Sequence, residues 1–111
     1  MDEYALAAQG PYAHDVAQQL IDGLGWTKQA RIRAGALPTH ARIVNVNVGV
    51  WLGVTSGPTV QLYAGRVDTE AASPYRDPVP GTESGELSPH DEVALIAAAR
   101  AVLDRVTQAK R

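Results

Sequence analysis

Arg42-Ile-Val-Asn-Val-Asn-Val-Gly-Val-Trp-Leu-Gly-Val54 is the stretch whose reading decides the fold. Val44, Val46, Val48, Val50, Leu52 and Val54 share one parity, while Ile43, Asn45, Asn47, Gly49, Trp51 and Gly53 share the other. Successive side chains of a strand point to opposite faces, so this sustained period of two predicts one long strand with an apolar core face and a mostly polar outer face. The run from Thr59 to Val67 alternates in the same way, with Val60, Leu62 and Ala64 set against Gln61, Tyr63 and Gly65. Thr55-Ser-Gly-Pro58 separates the two runs and predicts a hairpin turn.

Parity also predicts a register, because residues directly opposite each other in an antiparallel pair share a face. Setting Val54 opposite Pro58 leaves Thr55, Ser56 and Gly57 as a three-residue loop with Gly57 in the left-handed position. Leu52 then meets Val60, Val50 meets Leu62 and Val48 meets Ala64, so the apolar sets coincide. On the polar face Trp51 meets Gln61 and Gly49 meets Tyr63, which makes Trp51 and Tyr63 diagonal neighbours.

Working outward, Val16, Leu20 and Leu24, flanked by Ala13, Ala17 and Ile21, predict an amphipathic helix from Tyr12 to about Leu24, closed by Gly23 or Gly25. Thr27 to Ala34 reads as a short strand with Ala30, Ile32 and Ala34 on one face and Gln29, Arg31 and Arg33 on the other. Residues 35 to 40 read as a loop around Pro38. Residues 68 to 87 hold three prolines, two glycines and five acids with no period, which predicts a long acidic loop. Ser88-Pro89-His90-Asp91 then predicts a helix start, with Ser88 as cap, running to about Gln108. Its apolar stripe is read as Val93, Ile96, Ala97, Leu103 and Val106, widened by Leu95, Ala99 and Val102. The expected architecture is α+β, a single domain over residues 1–111. It has a three-stranded antiparallel sheet containing the central hairpin and two helices packed on one face, in the order α-β-β-β-α.

Composition narrows the function classes. A chain of 111 residues with 45% hydrophobic and 20% charged residues supports one globular core. With no cysteine, disulfides, thiolate nucleophiles and Cys-based zinc sites are excluded. No apolar run approaches the ~20 residues of a membrane span, and the Met-Asp-Glu start is acidic where a secretory signal is basic. No membrane partner and a cytoplasmic location are therefore expected, and no cofactor motif is present: no glycine-rich phosphate loop carries a lysine. Charge is segregated beneath a net value of −2. Residues 23 to 67 carry five Lys or Arg and no acid, whereas residues 68 to 99 carry seven acids against Arg76. The acidic loop is expected to lie over the basic sheet of its own molecule, over that of a neighbouring copy, or to be displaced or solvated while the sheet meets an outside anion.

The outer sheet face is the candidate site. Arg31, Arg33, Asn45, Asn47, Trp51, Gln61 and Tyr63 are read as sharing it and as partner-binding residues, because Trp, Tyr and Arg dominate protein hot spots. The same mixture suits stacking on single-stranded nucleic acid, which is the alternative. An acidic domain favours a protein partner over nucleic acid. Helix, three strands and helix is also the element order of double-stranded RNA-binding domains, but His90, Asp91 and Glu92 stand where a basic cluster is needed, and that family is not assigned. His14-Asp15 and His90-Asp91 raise a third reading, a metal-dependent hydrolase with His14, His90, Asp91 and Glu92 as ligands. Gly53-Val-Thr-Ser56-Gly57 and Gly81-Thr-Glu-Ser84-Gly85 each miss the nucleophile-elbow spacing by one residue. The sequence is therefore read as a non-enzymatic binding or assembly module, self-associating, of the kind found among small adaptors and viral-particle components.

Overall fold

A computed structural model describes residues 12–34, 39–67 and 78–108. In chain order its elements are α1 (Ala13–Leu24), β1 (Arg31–Ala34), β2 (His40–Asn45), β3 (Val50–Ser56), β4 (Val60–Arg66), β5 (Glu86–Leu87) and α2 (Glu92–Gln108). The strands form one five-stranded antiparallel sheet in sequential order. The α+β class and the two helices agree with expectation; the three-stranded sheet does not.

Two strands were unforeseen, and the first arises inside the stretch that decides the fold. The run from Arg42 to Val54 is two strands joined by a tight turn at residues 46–49, with Asn45 paired to Val50. A continuous strand of that length would extend about 44 Å, well beyond the usual 3–10 residues. Asn45 closes the turn instead: its Oδ1 accepts from the backbone N–H of Asn47 (3.1 Å) and of Val48 (3.4 Å). Its carbonyl accepts from Gly49 N–H at 3.0 Å, and Gly49 sits at φ 72, where only glycine is at ease. The four-residue loop switches the core parity from odd in β2 to even in β3. Ile43 is consequently fully buried, Val44 moves to the outer face, and Val46 and Val48 are exposed at 59% and 58%.

The β3–β4 hairpin keeps the expected parity, but its loop lies two residues later and the pairing is shifted by four, so that Leu52 meets Ala64 rather than Val60. Ser56 pairs with Val60, Val54 with Leu62 and Leu52 with Ala64, leaving Gly57, Pro58 and Thr59 as the loop. Pro58 has no N–H for a ladder bond, so a register that places it in the loop wastes no pairing position. Gly57 is accordingly not in the left-handed region.

The second unforeseen strand is β5, within the stretch expected to be a loop. Val79 N–H reaches Ala64 O, Ser84 N–H reaches Leu62 O, and Glu86 and Leu87 pair with Gln61 and Val60. Residues 79–87 thereby satisfy the outer edge of β4 despite having no strand period. Residues 68–77 lie outside the described residues, as do residues 35–38 of the expected loop at 35–40, whose last residue, His40, begins β2 instead.

Both helices pack on one face of the sheet. Val16, Ala17, Leu20 and Ile21 of α1 and Leu95, Ala99, Val102 and Val106 of α2 share a single cluster with Ile43, Leu52, Val54, Val60, Leu62 and Ala64. Leu95, Ala99, Val102 and Val106 repeat at four, three and four, the spacing of one helix face. The stripe read from sequence was rotated, since Val93 is 80% exposed and Ala97 is exposed. The helix also starts later than expected: Asp91 caps it through Oδ1 to Ala94 N–H (3.0 Å), while Ser88 Oγ only accepts from His90 N–H. Gly25 ends α1 at φ 73, with its N–H to Asp22 O and that of Trp26 to Ile21 O. Gly23 leaves room for Ile96, and Arg100 donates to Gly23 O at 3.1 Å, which locks the helices together.

Candidate interaction surface

The sheet face away from the helices is built by register. Arg31 pairs with Val44, Val44 with Trp51 and Trp51 with Gly65, so these residues share one face. Two residues further along, Arg33, Arg42, Gly53 and Tyr63 form the next row. Thr55, Gln61 and Glu86 make the last row, which carries the face out to β5.

Aromatic rings stiffen this face. Trp51 lies across Gly65, where a Cβ would come within 2.6 Å of the indole Cε2, and Tyr63 lies across Gly53. The rings meet edge to face with centroids 5.7 Å apart; they are diagonal neighbours through the Trp51–Gly65 and Gly53–Tyr63 pairs, not through the Trp51–Gln61 and Gly49–Tyr63 pairs expected from sequence. Arg42 stacks its guanidinium over Trp51, with Cζ 4.5 Å from the ring centroid. Arg33, Arg42 and Trp51 each make further interactions. Trp51 is only 1% exposed, so its ring is packed rather than presented.

Of the seven residues read as one site, the fold brings five together. Arg31, Arg33, Trp51, Gln61 and Tyr63 share the outer face. Asn45 is fully buried on the core parity, its Nδ2 donating to Gln29 Oε1 at 3.3 Å, and Asn47 is exposed in the turn. The parity switch at residues 46–49 removes both from the face. In exchange the fold adds Arg42 and Val44, which sequence parity had assigned otherwise or left unused, and Glu86, hidden in an aperiodic segment. Arg66 does not join them: it donates to Val106 O and ties the end of β4 to the last turn of α2.

The remaining candidates are occupied structurally or dispersed. Ser84 Oγ accepts from Leu62 N–H and donates to Gly85 O, and Ser56 is 1% exposed with its N–H on Thr39 O. His14, His90, Asp91 and Glu92 are all exposed, and no group of three or more His, Asp or Glu able to hold a metal occurs among the described residues. A shallow depression of about 300 Å³ lies between Thr39, Ser56, Pro58 and Gln61. Thr39 Oγ1 lies 2.8 Å from His40 Nδ1, a contact between chain neighbours. No helix among the described residues is long and apolar enough to cross a membrane. Comparison with protein-family models, with curated proteins and with solved structures finds no match.

Proposed function

We propose that the chain is a non-enzymatic binding and assembly module that acts by self-association. The observation that supports this reading is the division of charge by element. Arg31, Arg33 and Arg42 stand on one face of strands that contain no acid, whereas Glu83, Glu86, Asp91 and Glu92 are exposed on the later segment. A surface with separated charges of both signs attracts its own kind, and such attraction weakens as salt screens it. Light scattering at low and high ionic strength tests this: a discrete oligomer that dissociates as salt rises supports it, and a monomer at both overturns it. The three arginines also favour a second reading, binding of a single-stranded nucleic acid, in which affinity falls steeply with salt and is lost in Arg31→Ala. Against this second reading stands the burial of Trp51, which leaves the indole no open face for a base to stack on.

A further inference from the structure

The outer face is not uniformly basic; it is dipolar. Its β1–β2 side carries Arg31, Arg33 and Arg42, and its β5 side carries Glu86, which register places beside Gln61 on the same face. Arg31 and Glu86 are both exposed, and neither has an ion-pair partner among the described residues. They cannot meet within one molecule. Four strand spacings separate them across the sheet and four residues along it, a diagonal of about 23 Å. That span is more than twice the screening length at physiological salt.

Resting on the self-association reading, we infer that two copies pair through this face about a two-fold axis, with Arg31 of each protomer meeting Glu86 of the other. A two-fold axis lying between the faces and perpendicular to the line from Arg31 to Glu86 exchanges the two ends. It brings each cationic corner over the partner's anionic corner, so every contact is made twice. Parallel stacking in the same orientation would instead place like charges together. Between the corners, Val44, Thr55, Gln61 and Tyr63 supply a mixed surface over the rigid rings. Trp51, Gly53 and Gly65 in the centre are buried, so the contact rests on the exposed corners and is weak. The pairing is therefore concentration-dependent and salt-sensitive.

Charge reversal tests the geometry. Arg31→Glu and Glu86→Arg, each exposed and on the short strands β1 and β5, are prepared in the full chain, and their self-association is followed by sedimentation at low salt. Each alone weakens the dimer at least tenfold, because both symmetry-related contacts become repulsive. Mixing the two variants in equal amounts restores wild-type association, since Arg31 of one then meets Glu86 of the other and the reversed pair also matches. The neutral variants Arg31→Gln and Glu86→Gln shift association in the same direction by less. A wild-type dimer indifferent to both reversals overturns the two-fold face pairing and leaves self-association standing. Two weakened variants that fail to rescue each other also overturn it. A monomeric wild type overturns the self-association reading itself.

Discussion

Trp51 lies across Gly65 and Tyr63 across Gly53, so each ring fills the space that a cross-strand side chain would otherwise occupy. Adding a methyl group at Gly65 forces the indole off its bed, and Gly65→Ala is expected to lower stability by about 1–3 kcal/mol. Trp51→Ala is expected to cost about 3–5 kcal/mol. The double variant should cost clearly less than the sum, because without the ring the alanine has nothing to displace. Urea unfolding of the three variants measures this, and strict additivity would mean that the ring does not rest on Gly65. Asn45 gives a second residue-scale contrast. Its side chain satisfies two backbone N–H groups while fully buried, so Asn45→Ala is expected to cost about 1–3 kcal/mol. Asn47→Ala, exposed in the same turn, is expected to stay within about 0.5 kcal/mol. Equal losses would show that the turn is not organised by Asn45.

At the scale of elements, ends matter more than interiors. The N-terminus of α2 has two candidate caps three residues apart, and the hydrogen bond to Ala94 N–H assigns the role to Asp91. Asp91→Ala is expected to cost ~1 kcal/mol and Ser88→Ala much less, as read from thermal unfolding followed by helical dichroism. The reverse order would move the helix start to the residue read from sequence. The C-terminal ends are held by cations: Arg100 on Gly23 O at the end of α1, Arg66 on Val106 O at the end of α2. Arg105 reaches Thr82 O and Glu83 O, which fastens the segment leading into β5 against α2. These are side-chain-to-backbone contacts between elements far apart in sequence, and no local pattern announces them.

For the molecule as a whole, one apolar cluster joins both helices to β2, β3 and β4. Trp26 packs against that cluster, and Trp51 lies on the opposite side of the sheet. Tryptophan fluorescence therefore reports from both sides at once. If the core is shared, fluorescence and far-ultraviolet dichroism follow a single coincident transition in denaturant. Two separated transitions would mean that the outer face unfolds on its own.

Periodicity alone determined the α+β class, the position of α1, the apolar parity of β3 and β4 and the gathering of Arg31, Arg33, Trp51, Gln61 and Tyr63. Each of those depends on side chains alternating within a single element, a property carried by adjacent residues. Tertiary structure decided where Arg42 to Val54 bends, because Asn45, Asn47 and Gly49 fit a polar strand face and a tight turn equally well by period. The choice between them rests on hydrogen bonds and on a left-handed glycine. It also decided that β5 exists, since strand pairing there is imposed by the edge of β4 rather than by any alternation in residues 79–87. The charge pattern was legible as a linear segregation. Only the register of five strands turned it into a face with Arg31 at one corner and Glu86 at the other, because opposition across a sheet depends on pairing between residues that are distant in the chain.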